Sequence, residues 1–366
     1  MTLPSIGGGL KAFLRTMGRP VRRARGRGGI VLQPYRGYGS PERAFLIGRV
    51  FHQRSATPMQ GAWDVRRQLR DVMRRLVRRP AADVLVRGET LGSRAEARTD
   101  ADGYFRLEWS FADDAARSDR LWHPVALKLE GDLAIEAVGE IYVPPPRARF
   151  AVISDIDDTV MHTGVANKLG MMWRLFVSDA ESRTAFPGVA AFYRALHAGA
   201  SGDECNPMLY VSRAPWGIYE VLEEFFQRRN IPIGPVLFLR EWGVSWRNPL
   251  PRRAEDHKRV LIEAIMAVYD TLPVVLIGDS GQHDPEIYRR SVERYGARVL
   301  AVYIRDVSPH DARIRGEIAA MEAAIRAAGS HLVLAADTVA MAEHAARLGL
   351  VAPGAVEVIR GRQSSG

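Results

Sequence analysis

Phe150-Ala151-Val152-Ile153-Ser154-Asp155-Ile156-Asp157-Asp158-Thr159 is the stretch on which the reading of this chain turns. Its apolar run is of strand length, and a strand apolar on both faces belongs to a parallel sheet covered by helices. The run stops at Asp155, where three carboxylates crowd into four positions. Such charges repel one another, so a plain surface loop gains nothing from them at a sheet's edge. They make sense around a divalent cation, and hard oxygen donors of this kind suit Mg²⁺. A carboxylate can also attack phosphorus and form an aspartyl-phosphate. A second one, two positions on, can protonate the leaving oxygen and then activate water. An acidic turn without a role is the bland alternative.

Downstream the same alternation continues. Apolar runs at 208–211, 236–239, 274–277 and 299–304 are separated by segments of 3.6-residue period, such as 217–228 and 258–269. Strands alternating with helices predict an α/β domain with a parallel sheet, whose ligand sits beyond the carboxyl ends of the strands. Two further strands end in polar residues. Tyr210-Val211-Ser212-Arg213 offers a hydroxyl and backbone N–H groups suited to phosphate oxygens, although Ser also ends strands simply as a helix cap. Gly278-Asp279-Ser280-Gly281-Gln282-His283-Asp284 puts Asp279 where it could complete a metal shell and Asp284 where it could support one. Between them His257-Lys258 opens a helix. One ammonium beside clustered carboxylates can neutralise an incoming phosphate, whereas a lysine taken singly is ordinary surface.

Asp155-x-Asp157-x-Thr159, Ser212, Lys258 and Asp279-x-x-x-x-Asp284 resemble, in order, the four motifs of haloacid-dehalogenase-like phosphatases. Residues 152–160, 206–216 and 277–288, with Tyr303-Ile304-Arg305-Asp306-Val307, are similar to the catalytic domain of actin-patch-protein-type phosphatidate phosphatases and their bacterial relatives. The resemblance covers about residues 147–310 and implies a Rossmann-like, haloacid-dehalogenase-type sheet. It also implies Mg²⁺-dependent hydrolysis of phosphatidate to diacylglycerol and inorganic phosphate. Carried over, Asp155 is nucleophile and metal ligand, and Asp157 is the acid/base and a further ligand. Thr159, Ser212, Arg213 and Lys258 hold the phosphate, and Asp279 and Asp284 complete the metal site. Ala214 and Gly217 depart from the family pattern, in which a Ser and an Asn are common.

The front of the chain is different in kind. Residues 1–79 hold 18 basic and 3 acidic residues, while the whole chain of 366 has a net charge of +9. That asymmetry points to a polyanionic partner. Residues 1–40 read as a basic flexible tail. Residues 41–143 read as a small β-sandwich-like domain, because short strand patterns recur between turn signals. Inserted in it, residues 63–79 have an apolar stripe opposed by arginines, a helix that can lie on an anionic membrane or pack on its own domain. Thr99-Asp100-Ala101-Asp102-Gly103 resembles the start of a calcium loop, but position 111 is Phe where the last ligand is needed, so a tight turn is expected. Pro144-Pro145-Pro146 opens a stiff linker over 144–149, followed by the catalytic domain over 150–352 and a tail over 353–366.

The longest run without Asp, Glu, Lys or Arg is ten residues, half of what a spanning helix needs. Cys205 is the only cysteine, which excludes an internal disulfide and a zinc ribbon. The N-terminus shows no secretory core, so the expected location is cytoplasmic, peripheral at an anionic membrane surface. No aromatic-interleaved stacking platform accompanies the Arg/Gly segment, which argues against nucleic acid. Two rival readings follow: a phosphatase of a soluble phosphomonoester, and a basic membrane or nucleic-acid adaptor with a non-catalytic phosphatase-like domain. Four intact motifs argue against the second.

Overall fold

The computed structural model describes residues 29–52, 79–111, 118–131, 135–156, 188–212, 219–238, 254–280, 284–306 and 312–364. The basic segment 1–28, most of the basic helix expected at 63–79, the segment 160–186, and Asp157, Thr159 and Arg213 lie outside the described residues. The chain divides into two units, with the main cut between Val143 and Pro144.

The first unit is built of strands β1 (Ile30–Pro34), β2 (Gly37–Gly39), β3 (Arg43–His52), β4 (Arg79–Pro80), β5 (Leu85–Thr90), β6 (Ser93–Arg98), β7 (Tyr104–Ser110), β8 (Trp122–Leu129) and β9 (Glu136–Tyr142). Strand β8 shows why they form: His123, Val125, Leu127 and Leu129 point inward, while Pro124, Ala126 and Lys128 face outward. Instead of the two packed sheets of a sandwich, the nine strands make one hydrogen-bonded sheet in the order β1-β3-β2-β9-β8-β5-β6, with β4 and β7 also on β3. The cause is the length of β3. One end pairs with β1 and the other with β2, while β7 runs along the opposite edge, so the ladder never breaks. Leu46, Val50, Leu107, Trp109, Val125, Leu127 and Ile141 form one core inside it. Gly88 of β5 is needed there, since a Cβ would lie 2.7 Å from the Trp109 ring. The calcium-loop-like stretch is a turn: Asp100 Oδ1 accepts from the N–H groups of Asp102 and Tyr104, both at 2.8 Å.

Two expected tails are shorter than read. β1 and β2 fall within residues 1–40, because Ile30-Val31-Leu32 pairs with the far end of β3. Residues 353–366 contain a helix, Ala355–Ser364, that buries Val356 and Ile359.

The second unit alternates strand and helix. In chain order come β10 (Ala151–Asp155), α1 (Val189–Ala198), β11 (Met208–Ser212), α2 (Tyr219–Arg228), β12 (Val236–Phe238), α3 (Ala254–Val268), β13 (Val274–Asp279) and α4 (Asp284–Tyr295). They are followed by β14 (Val299–Arg305), α5 (Ala312–Ala327), β15 (His331–Ala335), α6 (Thr338–Arg347) and α7 (Ala355–Ser364). The six strands are parallel, in the order β12-β11-β10-β13-β14-β15. Ala151, Val152, Ile153, Val274, Val275 and Leu276 are all buried, as the central strands of a sheet covered on both faces must be.

Two polar side chains fix how this sheet is entered and braced. Asn206 is buried with all its hydrogen-bonding groups used. Its Oδ1 accepts from the N–H of Arg149 at 2.8 Å, and its Nδ2 donates to Leu196 O and Glu204 Oε2 at 2.9 and 2.8 Å. It thereby sets where β10 begins. Arg298 Nη2 donates to the carbonyls of Met266 and Tyr269 at the end of α3, at 3.2 and 2.6 Å, satisfying oxygens the helix leaves open. The order of strands matters most for the site. From β10 the chain moves outward through β11 to β12, then returns to β13 on the other side of β10. The carboxyl end of β10 is therefore the switch point, where open α/β sheets hold their ligands.

Candidate active site

Asp155 ends β10, the strand at the switch point, and its side chain is only 3% exposed. Asp279 ends β13 alongside it, and Asp284 opens α4 after one loop. Both stand beside Asp155. One carboxylate oxygen from each of the three lies within 4.8 Å of the other two. Lys258, on the first turns of α3, reaches into this cluster from the side: its Nζ is 2.9 Å from Asp155 Oδ2 and also pairs with Asp284 Oδ1. The Asp279 N–H points to Asp284 Oδ2 at 3.4 Å. Ser212 ends β11, buried, one residue beyond Val211, the register partner of Asp155.

The charges explain one another. Burial pushes the Asp284 carboxyl up to about 6; Lys258 opposes this and Asp155 adds to it. Burial alone would push the Lys258 ammonium down, but Asp155 and Asp284 outweigh it and hold it above its ordinary value. The phenol of Tyr288 is raised by burial and then by the carboxylates; it donates to Ile277 O at 2.9 Å. The Lys258 Nζ lies 5.5 Å from the centre of its ring. Three carboxylates around one ammonium could hold a divalent cation and an anion together.

Of the residues singled out in the sequence, the structure brings together Asp155, Lys258, Asp279 and Asp284, and puts Ser212 on the neighbouring strand end. Lys258 was expected to hold phosphate, and here it spans two carboxylates. Sequence reasoning missed Gly278. A Cβ there would overlap Asp284 Oδ2 and come within 2.8 Å of the Tyr288 ring. Gly278→Ala is expected to displace Asp284 and to cost about 1–3 kcal/mol. A thermal melt in chelator checks this, and an unchanged melting temperature would mean the loop simply gives way. Also missed were Ser154 and Tyr193, whose hydroxyls lie 2.7 Å apart behind Asp155, with Ser154 Oγ donating to the Asp155 carbonyl at 3.1 Å. The last is Arg305, a polar end to the apolar run of β14, 8% exposed and bonded to Thr338 Oγ1 at 3.1 Å. Its stretch, residues 303–307, belongs to the resembling segments, but no sequence signal assigned this arginine a role.

Residues 150–306 match the family described as phosphatidate phosphatase APP1, catalytic domain, and every residue of the carboxylate cluster falls inside that match. This stretch is therefore similar to an APP1-type catalytic domain. Phosphatidate phosphatase APP1 of Saccharomyces cerevisiae is 29% identical over 237 residues, covering 60% of this chain and 39% of that protein. An uncharacterized protein of Schizosaccharomyces pombe is 30% identical over 165 residues, 44% of this chain and 26% of its own. The chain thus spans about two fifths or less of the length of these relatives. A solved carbohydrate acetylesterase from Xanthomonas citri aligns over 90% of this chain and 72% of its own, at 9% identity and a TM-score of 0.29, and carries no weight for the fold. Thr338, the anchor of Arg305, lies beyond the residues matched to the APP1-type domain.

Proposed function

We propose that this protein is a Mg²⁺-dependent phosphatase that hydrolyses phosphatidate to diacylglycerol and inorganic phosphate, on a Rossmann-like fold of haloacid-dehalogenase type. The observation that carries the reading is the convergence of Asp155, Asp279, Asp284 and Lys258 at the switch point of a parallel sheet. The match to the APP1 catalytic domain supports the substrate class.

In the first step an Asp155 oxygen forms a bond to phosphorus and the bond from phosphorus to the glycerol oxygen breaks. The leaving oxygen takes the proton of the Asp157 carboxyl. In the second step Asp157 takes a proton from water, whose oxygen attacks phosphorus and releases inorganic phosphate and the Asp155 carboxylate. Asp157, outside the described residues, holds this role by its place in the motif, as do Thr159 and Arg213 theirs beside the phosphate. Ser212 and Lys258 provide a hydroxyl and an ammonium for the phosphate oxygens. The donor set fits Mg²⁺, since it consists of hard carboxylate oxygens. Asp155, Asp157, Asp279 and Asp284 would hold the ion, which supplies positive charge against the carboxylates and the phosphate.

No helix among the described residues is long and apolar enough to cross a membrane. In this reading the enzyme reaches its lipid from outside the bilayer, and the basic residues of 1–79 supply about 1 kcal/mol each near an anionic surface. The test compares phosphate release from phosphatidate in mixed micelles and from a soluble phosphomonoester, with Mg²⁺ and with chelator. Metal-dependent release at least about tenfold faster from the lipid is expected. Release only from the soluble ester would keep the chemistry and sink the lipid assignment. Release unaffected by chelation would remove the metal.

A further inference from the structure

Apart from the ion that the reading above would place there, three carboxylates and a single ammonium leave the cluster with an excess of negative charge that an entering phosphate dianion must meet. Lys258 is shared between Asp155 and Asp284. Asp279 has a different cationic neighbour. In the parallel register of β13 and β14, Asp279 stands opposite Arg305, and the next residue's N–H, that of Ser280, donates to Arg305 O at 2.8 Å. Arg305 is buried, its guanidinium feels the Asp279 charge, and it donates through Nη2 to the hydroxyl of the equally buried Thr338 at the start of α6. Asp337, which also acts on this guanidinium, uses its carboxylate to cap α6 at the Ala340 N–H, 2.9 Å away.

A buried guanidinium is costly unless its charge is used, and of the carboxylates that act on this one Asp279, its register partner in the acidic centre, comes ahead of Asp337. We propose that Arg305 is a positioning residue of the site. Anchored on Thr338, it offsets the Asp279 end of the carboxylate cluster as Lys258 offsets the other end, and so admits the phosphate dianion. The inference rests on the phosphatase reading and adds a cation to it. Because Arg305 acts on the charge met by substrate and product alike, it acts mainly on binding and little on the chemical step.

The test is the affinity for inorganic phosphate, read by calorimetry on the full chain in Mg²⁺ buffer, together with KM and kcat for phosphomonoester. Arg305→Gln is expected to weaken phosphate binding and raise KM about tenfold, with kcat changed less than about threefold. Arg305→Lys, which keeps the charge, is expected to stay within about threefold of the wild type. Should the Gln variant not fold, Thr338→Val loosens the anchor alone and is expected to weaken phosphate binding about threefold. Phosphate affinity in Arg305→Gln equal to wild type, equal impairment of the Lys and Gln variants, or an unaffected Thr338→Val standing in for an unfolded Gln variant would each overturn the proposal. A wild-type chain that neither binds phosphate nor releases it would overturn the phosphatase reading itself, a result distinct from any of these.

Discussion

Asp155→Asn is expected to leave a folded protein whose phosphate release falls about 10³-fold or more. The amide has nearly the shape of the carboxylate, so β10 and its packing are unchanged, but it cannot attack phosphorus to form the acyl phosphate. The stability effect separates this from a folding defect. Asp155 helps to push the Asp284 carboxyl up to about 6, so removing its charge relieves repulsion inside the cluster. Lys258 keeps Asp284 as its partner. The lost attraction to Lys258 is set against this relief, so melting of the variant in chelator should stay close to the wild-type temperature. A folded Asp155→Asn protein within about tenfold of wild-type activity would remove Asp155 as nucleophile. Full loss of activity with a melting temperature far below wild type would point to a structural role.

What could be read from the chain alone divides along a physical line. Runs such as residues 151–155 and 274–279 announce themselves, because a strand covered on both faces must be apolar throughout and can be polar only where it ends. The carboxylates Asp155 and Asp279 stand at those ends, so their meeting at one sheet edge was legible. Strand β6 was not: Ser93–Arg98 has no buried residue, and only pairing with β5 makes it a strand. Nor was the opposition of Asp279 and Arg305 legible, because it depends on which strand lies beside which, and by how many residues the ladder is shifted. The same holds for Tyr193, which reaches Ser154 across 39 residues of chain. The placing of Ile30-Val31-Leu32 inside a tail came from its basic neighbours, since a three-residue apolar run carries no period until β3 gives it a partner.

Lys258→Met is expected to have the second large effect, on both stability and rate. Methionine keeps the length and apolar stem of the side chain, so the change isolates the ammonium. Its loss leaves the buried Asp155 and Asp284 without the cation they share. Removing one partner of a buried ion pair typically costs about 3–5 kcal/mol. In a unit of this size that is a fall in melting temperature on the order of 10 °C at pH 7.5 in chelator. Phosphate release should drop about 10²-fold or more, since the ammonium also faces the incoming phosphate. The pH dependence carries the sign. Burial and Asp155 hold the Asp284 carboxyl at about 6 against an ordinary 3.8. A carboxyl raised on folding gives stability that is complete below about 3.8 and is lost as the pH rises through about 6. Lys258 works against that rise, so without it the Asp284 value goes higher and the loss of stability continues further up the pH scale. The gap in melting temperature between Lys258→Met and wild type should therefore narrow as the pH falls from 7.5 to about 6. A gap that stays constant over that range, or a variant as stable as wild type at pH 7.5, would mean that Lys258 does not hold these carboxylates together.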